Sequence, residues 1–447
     1  MSTLKKNKYI YKKKTRKNIY NTLTPNIIHI NGFSILLLPI KKSKVIRVEG
    51  LLFGGNIVEN KNNTGISHLL EHALMESWEK CKKKHCTYFW EKYGTLSNAY
   101  TNNTYLHFWK QGLQEHTEII LDYIISIILN PQLSKKMIDK ERHAVRNELN
   151  MYLNNPKWKL LDNLYKHFYN IEGLHYSQDY MQQLKVLNSF NKQNLSLFLK
   201  RQFNQKRILF VITGSFQKNN ITKLLKKKLK INSTHNPICF KPCYSLKKKV
   251  LFVKNNKAKN TDIKILFPIL LHRGDKDFPY LSILANIIGG DFNSLLMNEL
   301  RVKHELVYSA KCSFFTDFCG SGCSIDISTL DKNIIKVLNI VFKIIKNYKK
   351  IKIPKNKLTN VKNKHLINFY ENSFENTDKI SSFFKFQFLF QLHKKNKKIY
   401  SYNQYINILK NTSQKKIQHL FKKIFNTEQC IVGYIGKTKV NFTEKNY

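Results

Sequence analysis

Apolar residues in the first part of the chain recur with two periods, which predict short strands and longer helices. Residues 27–39 form two apolar runs broken at Asn31-Gly32, a pair typical of a hairpin turn. Residues 45–53 form a third predicted strand, and residues 117–129 and 135–153 have the length and apolar spacing of helices. The mixture of strands and helices favours an α+β fold.

A candidate linker divides the chain, because residues 232–246 hold Pro237 and Pro242 and lack a clear period. After it the pattern of strands and helices starts again. Predicted strands there cover 250–253, 262–268, 309–315, 324–328 and 430–435, and predicted helices cover 278–288, 293–302, 332–348 and 358–370. We therefore predict four parts: a basic tail (1–26), a first half (27–231), the linker (232–246) and a second half (247–447).

Short matches between the halves indicate a duplication. Phe203-Asn204 is followed ten residues later by Gly214, and Phe425-Asn426 is followed ten residues later by Gly436. In each half, the Phe-Asn dipeptide and the glycine lie on the two sides of a predicted buried strand. Residues 145–148 (VRNE) have a counterpart in residues 361–364 (VKNK). Matches at corresponding places in the two halves argue for two homologous units.

Composition raises the question of what a formal net charge of +48 means. The chain has 77 Lys and Arg against 29 Asp and Glu, a balance typical of nucleic-acid-binding proteins. The lysines are, however, scattered through every segment. Lys, Asn, Ile, Tyr and Phe are abundant together, as an A+T-rich genome would produce. We therefore expect no specific nucleic-acid partner, and the 42% of apolar residues indicates a globular protein.

The eight cysteines, none in a C-x-x-C pair, predict reduced and mostly buried thiols. Cys81 and Cys86 flank His85, so a second metal site there stays open. No apolar run is long enough to span a membrane. Residues 1–26 carry eight Lys or Arg and no acid, which predicts a disordered basic tail. A nuclear address and a transit peptide are the alternatives. We expect a cytoplasmic protein, with a mitochondrial one as the alternative.

Residues 65–80, GISHLLEHALMESWEK, carry the candidate chemistry. His68 and His72 lie four residues apart, so on a helix both imidazoles can reach one metal ion. Glu71 adds a carboxylate, and Thr64 is the predicted N-cap. Imidazoles and a carboxylate suit zinc with an open position for water. This is the H-x-x-E-H order of inverted zincins. The alternative is a buried amphipathic helix with His on its polar edge.

Two further glutamates, Glu141 and Glu148, lie seven residues apart and therefore on one face of the helix predicted at 135–153. In the duplication, Lys364 takes the place of Glu148 in the second half. The helix predicted at 278–288 contains no His or Glu. We therefore expect one half to be able to bind a metal and the other not.

Taken together, these motifs resemble the family of pitrilysin, insulin-degrading enzyme and mitochondrial processing peptidase, in its short, single-subunit form. The resemblance rests on His68-x-x-Glu71-His72, Glu141 and Glu148, Asn98-Ala99-Tyr100-Thr101, and Gly289-Gly290 through Arg301 to Tyr308. It covers nearly the whole chain past residue 27. Glu305 departs from it, because the family usually has Gly before its Leu-x-Tyr.

The resemblance implies a zinc metalloendopeptidase with one zinc per chain. His68, His72 and Glu148 would be the ligands, Glu71 would be the general base that activates a zinc-held water, and Glu141 would support the site. Asn98 and Ala99 would pair with the substrate backbone as an added strand. Arg301 and Tyr308 would reach across from the second half, where Arg301 would hold a substrate carbonyl or terminus and Tyr308 would donate to the oxyanion.

The implied fold has two tandem homologous α/β halves, each a mixed or antiparallel sheet packed by helices, around a central chamber. The implied substrates are peptides or unfolded segments. A presequence-processing subunit and a non-catalytic scaffold subunit of the same family are the alternatives, and a homodimer or heterodimer stays open. Because the chain is so basic, we expect acidic or neutral peptides to bind better than basic ones.

Overall fold

The computed structural model describes residues 25–81, 86–202, 205–230, 244–245, 247–257, 260–271, 275–317, 320–372, 376–393 and 399–446. Almost all of the predicted tail and linker lies outside the described residues. The boundaries drawn at 26, 231 and 246 therefore stay a prediction.

The first sheet is built from the first half of the chain. Its six strands lie in the order β1-β2-β6-β3-β5-β4. They are β1 (Asn26–Ile30), β2 (Phe33–Pro39), β3 (Val45–Phe53), β4 (Leu96–Thr101), β5 (Tyr105–Leu113) and β6 (Ile208–Gly214). Only β2 and β6 pair in parallel; the other neighbours are antiparallel. The strand β4 lies at an edge.

The second sheet repeats this arrangement with five strands in the order β7-β11-β8-β10-β9. They are β7 (Lys249–Lys254), β8 (Thr261–Ile269), β9 (Val307–Asp317), β10 (Gly320–Thr329) and β11 (Ile431–Gly436). The pair β7/β11 is parallel like β2/β6, and the hairpin β9/β10 corresponds to β4/β5. The matching order confirms the predicted duplication and the two-sheet α+β fold.

Sixteen α-helices connect and cover the strands within the described residues, and none of them is long and apolar enough to cross a membrane. They are α1 (Ile66–Glu76), α2 (Cys86–Glu91), α3 (Thr117–Leu129), α4 (Lys135–Leu153), α5 (Pro156–Phe168), α6 (Glu172–His175), α7 (Tyr180–Leu187), α8 (Lys192–Gln202), α9 (Lys218–Lys228), α10 (Pro279–Gly289), α11 (Leu295–Met297), α12 (Ile334–Lys350), α13 (Lys355–Asn372), α14 (Thr377–His393), α15 (Tyr402–Lys410) and α16 (Gln414–Ile424).

Several helices differ from the sequence-based expectation, which contains no counterpart of α2, α6, α7, α14, α15 or α16. The helix predicted at 293–302 is a short α11 followed by a π-helix, Asn298–Lys303. The helix α14 has no predicted counterpart, because its apolar residues lie on all of its sides and give no helical period.

Helices α1, α3 and α4 cover the inner face of the first sheet. Leu37 and Val48 of the sheet share one buried cluster with Leu70 of α1, Ile124 of α3 and Val145 of α4. All five side chains are almost fully excluded from solvent. This layer holds α1 and α4 side by side.

The outer face of each sheet is covered by a helix from the other half of the chain. In the first sheet, Leu36 and Val211 pack with Phe384 of α14. In the second sheet, the strand β11 packs with α5. A Cβ atom at Gly433 would lie 2.8 Å from the Leu160 side chain, so glycine permits the close approach of α5 to β11. The two halves are therefore interlocked by exchanged helices.

A buried ionic cluster fixes α14 to the first sheet. The Glu49 carboxylate accepts hydrogen bonds from Lys385 Nζ, from Ser381 Oγ, from Arg47 Nε (3.0 Å) and from His107 Nε2 (2.6 Å). Burial raises the pKa of Glu49, but Lys385, His107 and Arg47 outweigh this effect and hold it well below its usual value. A carboxylate in the core is thus kept ionised by partners from both halves.

Replacing Lys385 with Met should destabilise the fold strongly, because Glu49 would stay buried without its main counter-charge. We expect Lys385→Met to lower the free energy of unfolding by about 3 kcal/mol or more. The double variant Glu49→Gln/Lys385→Met should lose less than the sum of the two single variants. Urea unfolding measures both effects. Lys379→Met, an exposed position on the same helix, is the control, and equal unfolding of Lys379→Met and Lys385→Met would contradict the prediction.

Candidate metal centre

A carboxylate that lies six residues before the N-cap of α1 in sequence holds the start of this helix. Its N-cap is Gly65, with φ 85° and no side-chain cap, so the prediction of Thr64 as N-cap is wrong. Instead, Glu59 Oε2 accepts from the Gly65 amide (2.9 Å) and Glu59 Oε1 from the Ser67 amide (2.9 Å). These are amides that a helix leaves unpaired at its start. Burial raises the pKa of Glu59 to about 7.

The helices α1 and α4 bring three candidate ligands together. Glu148 Oε2 lies 3.4 Å from His68 Nε2 and 3.6 Å from His72 Nε2. One ligand atom from each of the three side chains lies within 4.8 Å of the others. Tetrahedral zinc with bonds of about 2.0–2.2 Å separates its ligand atoms by about 3.3–3.6 Å. The two distances from Glu148 to the imidazoles therefore fit zinc ligands.

Two further side chains orient these ligands. Glu141 Oε2 lies 3.3 Å from His72 Nδ1, which leaves Nε2 of the same ring directed at Glu148. Tyr152 donates from its hydroxyl to Glu148 Oε1. Such partners fix the tautomer and direction of metal ligands. Glu141 is expected from the sequence, whereas Tyr152 is not. The available signal is its position four residues after Glu148, on the same face of α4.

The electrostatics of this cluster favour a cation. Burial lowers the pKa of His72, but hydrogen bonds to Glu141 and Glu148 outweigh burial and raise it to about 9. Hydrogen bonds from His68 and His72 hold the pKa of Glu148 well below its usual value. The carboxylates of Glu141 and Glu148 thus stabilise a positive charge on His72, and a bound divalent cation would provide the positive charge in its place.

Glu71 lies next to the candidate ligands but is held by a different strand. It is 7% exposed, and its Oε2 accepts from Thr101 Oγ1 of β4 at 2.8 Å. Burial raises the pKa of Glu71, although His68 and His72 oppose the shift. Thr101 therefore joins the candidate base to the edge of the first sheet, a role that the sequence motif does not reveal.

The cluster opens into a cavity of about 550 Å³, and all of the described residues that line it lie between Asn56 and Gln183. Four carboxylates line it, and none of its described lining residues is Lys or Arg. They are Glu71, Glu76, Glu141 and Glu148. The cavity is thus acidic in a basic chain, and a bound divalent cation would offset only two of the four negative charges. This local charge speaks against the expectation that acidic peptides bind better.

The remaining predicted residues divide into two groups. Asn98 and Ala99 line the cavity on the edge strand β4, where they were expected. Arg301 and Tyr308 are absent from the described lining. Arg301 Nη1 donates to the Tyr308 carbonyl, and the Tyr308 side chain is 76% exposed. Within this chain, the second pair is therefore not brought to the cavity.

The departure at Glu305 has a backbone explanation. Its φ is 52°, in the left-handed region that favours glycine. A Gly, which the resemblance leads us to expect here, would adopt this conformation without strain. A glutamate in that conformation costs about 1 kcal/mol relative to Gly.

The cysteines differ in part from the prediction. Cys81 and Cys86 form a disulfide, so the prediction of reduced thiols is wrong for this pair, and neither offers a free thiolate to a second metal. The other described cysteines, Cys312, Cys323 and Cys430, are thiols outside any disulfide and are buried as predicted. His85 lies outside the described residues.

Removing the Glu59 carboxylate should loosen the start of α1. In Glu59→Gln the side-chain oxygen can still accept from one backbone amide, but the side-chain NH₂ group would face the other amide, donor against donor. We therefore expect a loss of about 1–3 kcal/mol of stability. Because His68 is the next residue after Ser67, whose amide Glu59 holds, the affinity for zinc should fall as well. Thermal unfolding without metal and zinc titration measure the two effects. Glu115→Gln, at a 72% exposed side chain, is the control; behaviour equal to that control would show that Glu59 does not cap the helix.

Comparison with known proteins places this geometry in context. The family profile described as "Insulinase (Peptidase family M16)" matches residues 48–179, and the profile described as "Peptidase M16 inactive domain" matches residues 189–364. The metal cluster lies within the first match. The second covers the part in which the predicted duplication puts Lys364 in the place of Glu148.

Individual relatives agree with these matches. A protein of Rickettsia felis named "Uncharacterized zinc protease" is 23% identical over 68% of this chain and 70% of its own length. The mitochondrial-processing peptidase subunit beta of Caenorhabditis elegans is 23% identical over 39% of this chain and 37% of its own length. The crystal structure of a protease from Helicobacter pylori superposes with a TM-score of 0.79 at 16% identity, over 92% of this chain and 99% of the other. At that identity the structural likeness shows the fold alone.

Proposed function

The chain belongs to the M16 peptidase family, and from this premise we propose that it is a zinc-dependent metalloendopeptidase. The observation that carries the proposal is the convergence of His68, His72 and Glu148 beside the buried Glu71 in one cavity. A non-catalytic scaffold copy would normally have lost at least one of these four side chains. The proposed reaction is hydrolysis of bonds within peptides or unfolded segments.

Three side chains of this chain would hold one zinc. His68 and His72 offer their Nε2 atoms and Glu148 offers Oε2, the atoms that lie 3.4 and 3.6 Å apart. When bound, zinc would act as a Lewis acid and lower the pKa of a water from ~16 towards ~7. Glu141 and Tyr152 would keep the ligands directed by their hydrogen bonds to His72 and Glu148.

Glu71 is the proposed general base and acid. Thr101 occupies its Oε2, so we assign proton transfer to Oε1. Burial raises the pKa of this carboxyl from its usual value, which brings it closer to neutral pH. A carboxylate of this kind can take a proton from the attacking water and pass one to the leaving amine.

The edge strand β4 is the proposed binding place for the peptide backbone. It pairs with β5 on one side, and no strand of the described residues pairs with its other edge, which can therefore accept an added strand. Asn98 and Ala99 lie on it, and Thr101 of the same strand contacts Glu71. A peptide paired to β4 would therefore run past the candidate base.

Arg301 and Tyr308 could contribute to the reaction only if a movement or a second chain brought them to the metal cavity. Since they do not line the cavity of their own chain, closure of the second half or a second chain would have to supply them. A homodimer or heterodimer is therefore part of the proposal for this pair. Cytoplasmic location, with a mitochondrial alternative, stays a prediction.

The charge of the cavity favours one of the alternatives for the substrate. Presequences are rich in Arg and poor in acid. A cavity lined by Glu71, Glu76, Glu141 and Glu148 without lysine or arginine among its described residues suits such peptides. A presequence-like, basic peptide is therefore the second candidate substrate class, in place of the acidic peptides expected from the overall charge.

Two substitutions separate the metal from the base. Glu71→Gln should retain about one zinc per chain and lose peptide hydrolysis by a factor of about 10²–10⁴. Glu148→Gln should lose zinc together with activity, because it removes a ligand. Metal analysis and digestion of a peptide library, with and without chelator, measure both. Full zinc content in a His68→Ala/His72→Ala variant would refute the site, and normal turnover in Glu71→Gln would remove it from the mechanism.

Peptide charge should influence cleavage through the cavity more than through the surface. At 0.1 M salt charges are screened over ~10 Å, so scattered lysines act weakly on a peptide bound beside four carboxylates. We expect a basic peptide to be cleaved faster than an acidic one of equal length, and Glu76→Gln to reduce the difference. Glu79→Gln, at an exposed position outside the described lining, is the control. Preferential cleavage of the acidic peptide across a salt series would restore the expectation from overall charge.

A further inference from the structure

The edge strand β4 has two faces, and the inner one carries the side chains that contact α1 and its core. Thr101 on the inner face bonds to Glu71, and Ala99 packs against the core that includes α1. Leu96 and Tyr100 point to the opposite face, since successive side chains of a strand alternate. Their partners on β5 are Gln111 and His107.

A second cavity, of about 390 Å³, lies on that opposite face. We call it the outer cleft. It lies between the outer surface of β3, β4 and β5 and the first turns of α14, and its walls include Leu96, Tyr100, Trp109, Arg47, Asp378 and Phe386. Tyr100 lines both this cleft and the metal cavity. The two spaces therefore meet at the open edge of β4.

The charged groups of the outer cleft are already paired with one another. Arg47 donates from Nε to Glu49 and from Nη2 to Asp378, each at 3.0 Å. Its guanidinium also lies 3.9 Å from the centre of the Trp109 ring. Lys385 pairs with Glu49. What is left for a guest is a mixed surface, in which polar side chains such as Asn376 and Ser382 lie beside apolar ones. The most exposed apolar side chain among them is Leu96, at 61%.

We propose that the outer cleft is a second subsite for the peptide substrate, which takes large aliphatic or aromatic side chains. The proposal rests on the proposed peptidase function and on strand addition at β4. The residues on the two sides of any bond in an extended strand point to opposite faces. A peptide on β4 would thus direct every second side chain into the metal cavity and the intervening ones into the outer cleft. Leu96 and Tyr100 are about 13 Å apart along the strand, enough for two outward side chains.

A positional scan tests this subsite. One Phe is moved through successive positions around the cleavage site of an otherwise Ala- and Ser-rich peptide, and kcat/KM is measured for each. Leu96→Ala should lower kcat/KM by about tenfold, within the range of apolar pockets, for Phe at alternate positions only. Leu113→Ala, another exposed leucine on β5, should change none of them. A uniform loss at all positions, or no loss, would overturn the subsite.

A binding measurement separates the subsite from the peptidase proposal. Zinc-loaded Glu71→Gln is titrated with the same peptides, labelled with a fluorophore, with and without Leu96→Ala. If the wild type hydrolyses the peptides but no alternating effect is seen, the subsite proposal is refuted and the peptidase proposal stands. Alternating affinity without hydrolysis keeps the subsite and removes the peptidase. Absence of both hydrolysis and alternating affinity overturns both proposals.

Discussion

The side-by-side packing of α1 and α4 is the constraint on which the candidate centre depends. The two histidines lie on one helix and Glu148 on the other, so the distances of 3.4 and 3.6 Å exist only in one relative rotation of the helices. A turn of α1 by one residue, about 100°, would remove both imidazoles from Glu148. The shared core with Leu70 and Val145 sets that rotation, and the Glu59 carboxylate sets where α1 begins.

The sequence predicts the parts of the site that depend on local spacing and misses those that depend on contacts through space. The i, i+4 histidines and Glu148 follow from helix geometry, and most strands follow from apolar runs. Glu59 as the cap of α1 does not, because its carboxylate bonds to amides six and eight residues away. Thr64 has the residue type of a cap, yet its hydroxyl donates to the carbonyl of Tyr176. The helix α14 is missed because apolar residues surround it, and its single buried Lys385 looks like a surface charge until Glu49 is placed beside it.

Charge in this molecule has to be considered at two distances. The formal net charge of +48 describes the far field, which salt screens over ~10 Å at 0.1 M. The metal cavity has the opposite local character, with four carboxylates among its lining residues. Overall composition therefore describes solubility and encounter better than it describes the environment of a bound peptide.

The exchange of α5 and α14 between the halves has a consequence for synthesis on the ribosome. The outer face of the first sheet buries Leu36 and Val211 against α14, which is translated after four of the five strands of the second sheet. At about 5–20 residues per second, the delay after β6 leaves the ribosome is about 10–30 s. During that time an apolar sheet face has no cover, and such faces bind chaperones or aggregate. In a nascent chain that stalls before α14, the outer face of the first sheet therefore stays exposed as an apolar surface that is prone to aggregation.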